Sequence, residues 1–421
     1  MGGLARRAGY IRAFELRSAS EAPALFVDAG NFLSDDKFIA GQLPPEVIAK
    51  NRWVVKAYGQ FGQAAANLSY DDLPYAAELL KKDGYASRVD DMPFIKRITS
   101  ANIIPDQAHE APAPYVIKEI PLKRGKPGTL RIGIIGLTEG KPVSTTEKDA
   151  QIAGFTIVDP LQAAKRVLPE LKKKADYIIA LAYLPQDQAN LLATQNPELD
   201  LVVGAHQLSL MGDPAHFNRA TITYAYTQTK YLGEMRVYLK PDGSIENQAN
   251  RYVALDDAIP DDPAAADVVA GAHNDFTAEQ SKGAQQAAAT APASNLLGAA
   301  SSAYVGVDQC ATCHAREFEI WKRTGHSHAM ETLEKRSQQF DANCVKCHVV
   351  GYEKGGFQAL YSTPQFANVQ CESCHGPGRQ HVDRPEKGYG FMSTPVGCVQ
   401  CHTQANSPDF NFETYYPKIK H

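Results

Sequence analysis

The chain has 421 residues, of which 44% are hydrophobic, and its formal net charge at pH 7 is −4. This length exceeds one ordinary hydrophobic core, so we expect two domains and a connecting segment. A slightly acidic chain without a lysine and arginine surplus argues against nucleic-acid binding, and the sequence has no run of about 18 apolar residues that could span a bilayer.

Residues 1–258 alternate short apolar runs with amphipathic stretches. Such runs, when they end near Gly or Asp, are typical of buried strands in α/β domains, with loops at their carboxyl ends. The clearest runs are Ala24–Val27, Leu130–Leu137, Tyr177–Leu181 and Leu199–Val203. The pattern predicts a layered α/β domain over this part of the chain.

The composition changes after residue 258. Asp261-Asp262-Pro263 predicts the start of a helix that ends near Gly283, and Ala, Gln, Ser and Pro then dominate up to Ser302. This stretch has too few large apolar side chains to build a core. We therefore expect residues 259–303 to form a helix followed by a flexible linker.

Residues 304–421 show little helical or strand periodicity and many turn signals, which predicts a small domain of short helices and irregular structure. All eight cysteines of the chain lie here, between Cys310 and Cys401. They form four C-x-x-C-H motifs, at Cys310–His314, Cys344–His348, Cys371–His375 and Cys398–His402. Ordinary side-chain packing looks insufficient for this segment, so we expect a bound group to fill its interior.

Two thiols three positions apart on one helical turn can each add to a vinyl group of a haem, and the next residue then places its imidazole under the iron. Zinc sites or disulfides are the alternative explanation, but neither requires a histidine after every second cysteine. The motifs predict four covalently attached haems c, bound by Cys310, Cys313, Cys344, Cys347, Cys371, Cys374, Cys398 and Cys401, with His314, His348, His375 and His402 as proximal ligands.

The same segment holds four further histidines, His326, His328, His381 and His421, which are candidate distal ligands. One for each haem would give bis-histidine iron throughout, which leaves no open site and favours electron transfer over catalysis. Because His326 and His328 are one residue apart, they cannot both face one haem, and one of them is alternatively a solvated side chain. His421 is alternatively a ligand to iron in a neighbouring molecule.

The segment resembles the tetrahaem cytochrome family typified by the carrier that takes electrons from hydroxylamine oxidoreductase. The resemblance covers about 118 residues and rests on Trp321, His326-Ser-His328-Ala, the run from Cys371 to His381, and the ending Pro408–His421. It implies closely stacked haem pairs and His381 as a distal ligand. One haem of the family carrier lacks a distal ligand, which keeps open a small-molecule role at one iron.

The front domain is similar, more loosely, to the metallophosphoesterase domain of periplasmic 5′-nucleotidases. The resemblance rests on Gly2–Arg7, Val27–Asn31, Ser69–Leu73, Ala180–Leu184, Asp200–His206 and Lys230–Gly233. It implies a metallophosphoesterase-like α/β sandwich. The second, substrate-binding domain of the nucleotidases has no counterpart here, and the cytochrome segment takes its place in the chain.

The resemblance also implies a dinuclear metal site, but this sequence departs from its ligand set. Asn31 stands at the position of a bridging Asp, Ser69-Tyr70 at that of an Asn-His pair, and Tyr183 at that of a histidine. The Asp-x-His strand expected before Gly2 is missing, and in the last loop His206 remains while Leu208 replaces its partner. A neutral amide does not compensate the charge of two dications. We therefore expect no phosphoesterase activity, and we interpret His109, His206, His216 and His273 as structural or surface residues.

These observations predict an exported tetrahaem electron carrier, periplasmic or at the cell surface, with redox proteins as partners and a non-catalytic front domain. Export is expected from the haem chemistry, although Met1–Arg7 has no apolar stretch behind it and does not resemble a signal peptide. The alternatives are a haem enzyme with one five-coordinate iron, a phosphoesterase whose missing ligands lie upstream, and a homo-oligomer or filament linked through haem stacking.

Overall fold

A computed structural model describes residues 3–18, 23–33, 45–82, 93–122, 128–140, 151–205, 213–224, 230–242, 244–290, 302–335, 338–339, 342–360, 363–390, 395–403 and 406–421. The chain divides into two compact units, Met1–Ala272 and His273–His421.

The first unit consists of alternating helices and strands. Its helices are α1 (Leu4–Ser18), α2 (Pro45–Gln60), α3 (Leu73–Leu80), α4 (Pro160–Lys174) and α5 (Gln186–Gln195), with a 3₁₀ turn at Pro93–Arg97. Its strands are β1 (Phe26–Asp28), β2 (Gln63–Asn67), β3 (Ile98–Thr99), β4 (Ile103–Pro105), β5 (Tyr115–Pro121), β6 (Thr129–Thr138), β7 (Gln151–Ile152), β8 (Phe155–Ile157), β9 (Tyr177–Tyr183), β10 (Leu201–Gly204), β11 (Ala215–Phe217), β12 (Ala220–Tyr224), β13 (Tyr231–Leu239) and β14 (Ile245–Ala254).

Two sheets carry the strands that the sequence predicted. The larger sheet has the order β11-β12-β10-β9-β6-β5, with four parallel strands between antiparallel edges. The smaller sheet is parallel, with the order β1-β2-β3. Carboxyl ends of parallel strands meet at one edge of a sheet, so the loops that follow them define one face of the unit. The layered α/β prediction is confirmed.

The first unit has ordinary hydrophobic cores. Ala65 of β2 and Ile134 of β6 belong to one cluster, which fills the space between the sheets. Leu168 and Leu171 of α4 pack with Ile135 on the opposite face of the larger sheet. Branched aliphatic side chains on successive strands account for this packing, since alternate residues point to opposite faces.

One long helix follows the sheets. Helix α6 (Pro263–Thr290) begins where Asp262 predicts it, because the Asp262 carboxylate accepts a hydrogen bond from the Ala265 amide at 2.9 Å. The helix continues about seven residues beyond Gly283, where the sequence predicted its end. Ala and Gln are strong helix formers, and they extend it. The predicted linker falls largely on residues 291–301, which lie outside the described part of the chain.

The second unit is built from short helices and turns, as predicted. They are α7 (Val307–Ala311), α8 (Ala315–Trp321), α9 (Ala329–Glu334), α10 (Ala342–Val345), α11 (Cys371–His375), α12 (Arg379–Asp383), α13 (Pro395–Cys398) and α14 (Phe412–Tyr415), with 3₁₀ turns at Gly325–His328, Pro364–Phe366 and Tyr416–Lys418. One small apolar cluster includes Val350 and Phe366. Among all described residues, no helix is both long and apolar enough to cross a membrane.

Candidate haem-binding site

Each C-x-x-C-H motif folds as a helical turn. In the first motif the amides of Cys313 and His314 donate to the Cys310 carbonyl at 3.2 and 2.9 Å, and Cys401 and His402 repeat this geometry on Cys398. The second motif has Cys347 N bonded to Cys344 O at 3.2 Å, and the third is helix α11 itself. All eight cysteines are free thiols. The turn therefore presents two sulfurs and one imidazole on the same side of the chain.

Three of the four histidines that the sequence predicts as proximal ligands face a second histidine. The ring centroids lie 6.2 Å apart for His314 and His381, 6.3 Å for His402 and His326, and 5.9 Å for His375 and His421. The members of each pair are far apart in sequence, so the fold brings them together. Sequence reasoning named all six residues but assigned only His381 to the distal role by resemblance, and it left the pairing open.

These separations fit an iron atom between two imidazoles. A ring nitrogen binds a first-row metal at about 2.0 Å and lies roughly 1.1 Å from its ring centre, so two axial imidazoles have centroids about 6.2 Å apart. Beside His375 lies a cavity of about 700 Å³, lined also by Arg379, Arg384, Tyr389 and Gly390. Such a volume suits a bound cofactor. The residues present therefore fit haem.

The second motif has different surroundings. The Nδ1 atom of His348 lies 2.7 Å from the Ala329 carbonyl and 3.4 Å from Thr332 Oγ1. His328, the remaining distal candidate, has Nδ1 at 3.1 Å from Glu331 Oε1, and its side chain is 59% exposed. A bond from Nδ1 to a carbonyl orients an imidazole for metal binding through Nε2. The other three predicted proximal histidines each make a ring contact with a second histidine. Among the described residues, no such ring contact joins His348 to His328.

Thiols from different motifs lie close together. Cys310 and Cys371 hydrogen-bond to each other, which raises the pKa of Cys310 and lowers that of Cys371. Burial, together with the neighbouring thiols of Cys347 and Cys374, raises the pKa of Cys401 to about 12. Thioether sulfurs do not titrate, so these pKa shifts do not apply to a haem-loaded chain. The contacts are informative because they show which sulfur atoms are neighbours. They bring the first motif beside the third, and the second beside the fourth.

Polar side chains join the first and third motifs. The buried carboxylate of Glu372, inside the third motif, accepts hydrogen bonds from the amides of Val305, Gly306 and Gly378 at 2.6 to 3.2 Å. Gln370 accepts from the Val307 amide at 2.8 Å. A charged acceptor shared by several buried amides is strongly stabilising. Sequence reasoning missed both residues, because Glu372 is at a variable position of the motif, Gln370 precedes the motif, and neither is a haem ligand.

Aromatic rings pack on two of the axial histidines. Phe410 stacks on His402 with centroids 4.5 Å apart, and Tyr389 stacks on His381 at 4.8 Å. Burial lowers the pKa of both His326 and His402. A lowered pKa keeps these imidazoles neutral, which is the form that binds a metal.

In the first unit, which we call the front unit from here on, two residues at the expected metal-ligand positions contact each other. The rings of Tyr70 and Tyr183 meet edge to face with centroids 5.4 Å apart. The Asn31 backbone has φ of 62°, and its amide donates to the Asp72 carboxylate at 2.7 Å. Burial raises the pKa of Asp72 to about 6. Within the described residues, no group of three or more His, Cys, Asp or Glu side chains is arranged to hold a metal ion.

The remaining histidines of the front unit have local partners. His109 Nδ1 lies 2.7 Å from Asp106, and His216 Nδ1 lies 3.3 Å from Thr221 Oγ1. His273 lies in helix α6, which is in the second unit from that residue onward. The predicted loss of the metal site also depends on His206 and Leu208. Both lie outside the described residues.

Comparisons with known proteins divide along the same boundary. Residues 309–376 match the family described as cytochrome c554 and c-prime. Cytochrome c-554 of Nitrosomonas europaea is 33% identical over 132 residues, covering 27% of this chain and 56% of that protein. Apyrase of Aedes aegypti is 25% identical over 214 residues, covering 45% of this chain and 35% of that protein. The chain thus spans less than two thirds of either relative.

Solved structures resemble the front unit at the level of fold. Calcineurin-like phosphoesterase YfkN from Bacillus subtilis superposes with a TM-score of 0.51 at 19% identity, covering 66% of this chain and 91% of that one. The sulfate thiohydrolase SoxB from Thermus thermophilus gives 0.50 at 16% identity, covering 65% and 46%. The chain therefore combines an α/β domain that shares the fold of these phosphoesterases with a segment similar to cytochrome c554, and this similarity implies covalently bound haem.

Proposed function

We propose that the protein is an exported tetrahaem cytochrome that transfers electrons between redox proteins, with a front domain that docks or supports rather than catalyses. The observation that carries this proposal is the set of three histidine pairs with centroids 5.9 to 6.3 Å apart. Two imidazoles on one iron give a low-spin centre without an open position, which suits electron transfer. Haem supplies the one-electron chemistry, and this chain supplies its position and ligands.

The pairs support one distal ligand for each of three haem sites, and we number the four sites by their motifs in chain order. His381 serves the motif that ends at His314, His421 serves His375, and His326 serves His402. Each pair lies within one chain, so the assignment needs no histidine from a second molecule. The filament alternative would require His421 to leave His375, and the 5.9 Å pairing supports the intrachain arrangement.

The contacts between thiols support an order of electron transfer. The first and third sites adjoin through Cys310 and Cys371, and the second and fourth through Cys347 and Cys401. Cys374 also lies near Cys401, which links the third site to the fourth. The order first, third, fourth, second follows from these neighbours. Hydrogen bonds to Glu372 hold the segment before the first motif against the third motif.

The test of this proposal is a pyridine haemochrome count together with electron paramagnetic resonance of the oxidised holoprotein. We expect four haems per chain and low-spin signals from at least three of them. A His381→Ala variant should convert one site to high spin, while the matched variant His216→Ala, on strand β11 of the front unit, should change none. Fewer than four haems, or no response to His381→Ala, would overturn the assignment.

A second candidate function is favoured at the motif ending in His348. His348 is oriented by the Ala329 carbonyl, whereas His328 is engaged with Glu331 and largely exposed. An iron held there by His348 alone could bind a small nitrogen or oxygen species. Carbon monoxide or cyanide added to the holoprotein should then bind about one quarter of the haem, and binding that is absent would favour His328 as a fourth distal ligand.

The proposed loss of phosphoesterase activity rests on the Tyr70–Tyr183 contact, which fills positions where metal-binding histidines are expected. Purified protein supplied with Mn²⁺ or Zn²⁺ should not hydrolyse a generic phosphodiester such as bis-p-nitrophenyl phosphate. A triple variant with Asn31→Asp, Tyr70→His and Tyr183→His tests whether missing metal ligands explain the loss of activity, because it restores three ligand types. Hydrolysis by the unaltered chain would remove this part of the proposal.

A further inference from the structure

A short turn after helix α12 contains a tyrosine between two glycines. Gly388 has φ of 78° and Gly390 has φ of 93°, both in the left-handed region that favours glycine. Tyr389 lies between them and is 39% exposed. This arrangement fixes the direction of the tyrosine ring without burying it.

The ring of Tyr389 is aligned with a haem ligand. It stacks on His381 with centroids 4.8 Å apart and an interplanar angle of 17°. The Tyr389 hydroxyl donates to the Pro377 carbonyl at 3.0 Å, so the ring is anchored at its far end to the turn that follows the third motif. Stacking on one side and a hydrogen bond at the other end leave the imidazole of His381 little rotational freedom.

The next residue touches a different ligand. A Cβ atom at Gly390 would lie 3.0 Å from the His375 carbonyl oxygen and 3.3 Å from the His375 Cβ. Only glycine allows the turn this close to the backbone of the third motif. One three-residue segment therefore contacts the distal ligand of the first site and the proximal ligand of the third.

We infer that the turn Gly388–Gly390 is a positioning element that orients an axial ligand of the first site and an axial ligand of the third site. Tyr389 anchors this turn. This inference rests on the proposed haem assignment. The orientation of an imidazole and its hydrogen-bonded surroundings tune a metal centre. A change at Tyr389 therefore alters the first site through His381 and the third through the anchored turn.

Three variants of the haem-loaded protein test this inference by nuclear magnetic resonance of haem methyl groups and by potentiometric titration. Tyr389→Leu removes both the stacking and the hydrogen bond, and Tyr389→Phe retains the stacking alone. Phe410→Leu is the matched control, because Phe410 stacks on His402 of the fourth site at 4.5 Å. Variants His381→Met and His421→Met identify the signals of the first and third sites.

We expect Tyr389→Leu to shift the methyl signals of the first and third sites, and Phe410→Leu to leave those signals in place. Tyr389→Phe should restore the signals of the first site and keep the shift at the third. Unchanged spectra in Tyr389→Leu, or equal shifts at all four sites, would overturn the inference while a count of four haems still upheld the proposed function. A count below four in the unaltered protein would remove both.

Discussion

Different interactions stabilise each of the two units of the molecule. Among the described residues, the twelve largest fully buried side chains include only Phe366 from the second unit, and the rest lie in the first. The second unit instead contains polar links such as Glu372 and the paired histidines that we propose as iron ligands. If haems occupy the interior of the second unit, as we propose, the stability of that unit should depend on them.

The largest test of this comparison is removal of haem. We expect the chain, expressed without a haem-attachment system, to keep a folded front unit but to lose protease protection over residues 304–421 by on the order of 100-fold. Limited proteolysis followed by mass spectrometry of the fragments measures both regions in one experiment. The haem-loaded chain is the control. An apoprotein that protects both regions equally would break the comparison.

A smaller effect should follow from a cavity in the front unit. Leu168 of α4 is 1% exposed, so Leu168→Ala should lower the free energy of unfolding of that unit by about 3 kcal/mol. Circular dichroism during denaturation measures the loss, and haem absorbance should not change. On helix α5, Leu191 is 42% exposed, and Leu191→Ala should cost about 0.5 kcal/mol or less. Equal losses would show that burial does not govern this unit.

The second unit should respond instead to loss of a polar link. Glu372→Ala leaves the amides of Val305, Gly306 and Gly378 without their acceptor and should cost about 2 kcal/mol. Haem absorbance during denaturation reports on this unit. Glu334→Ala, at an exposed position of α9, is the matched control. A loss no larger than that of the control would mean that haem alone holds the first and third motifs.

The smallest predicted effect concerns pH. Burial opposes ionisation of Glu234, but hydrogen bonds from Arg251, Tyr10 and Arg236 lower its pKa from 4.5 to about 2. Because the folded pKa lies below the unfolded one, Glu234 stabilises the front unit above pH 4.5, and this contribution is lost as the pH falls towards 2. Glu234→Gln should remove about 1–2 kcal/mol of stability at pH 7.

Chemical denaturation of the front unit between pH 2 and pH 7 measures this contribution. The Glu234→Gln variant should show a flatter loss of stability on acidification than the unaltered chain. Glu246→Gln, at an exposed position of β14, should leave the slope unchanged. A Glu234→Gln variant with the original slope would contradict the assignment of the acid sensitivity to this carboxylate.

The sequence predicted those parts of the fold that depend on local patterns. The apolar runs at Leu130–Leu137 and Tyr177–Leu181 became β6 and β9, because continuous hydrophobicity marks strands buried on both faces. The end of α6 was placed too early, since periodicity fades in an Ala- and Gln-rich stretch although its helix propensity stays high. Local sequence signals thus predicted whether a segment is a helix or a strand better than they predicted the residue at which it ends.

Long-range arrangements could not be predicted in the same way. The members of the three histidine pairs are 46 to 76 residues apart, and spacing along the chain does not indicate which of them the fold brings together. The substitutions at Tyr70 and Tyr183 were recognised separately, but their contact appears only in the fold. Glu372 was treated as a variable position because two of its three partners, Val305 and Gly306, lie 67 and 66 residues away. The assignment of His328 stays a prediction.

The buried position of Glu372 also has a consequence for biosynthesis. Thioether formation requires both thiols of a C-x-x-C-H motif to be reached by haem and by whatever catalyses its attachment. In the finished fold, Val305 and Gly306 cover the third motif through Glu372, and Cys371 and Cys374 are only partly exposed. If haem is attached at this motif, as we propose, we expect attachment to precede the docking of Val305 and Gly306 onto Glu372. On this proposal, the hydrogen bonds to the Glu372 carboxylate form late in the maturation of the domain, after haem attachment.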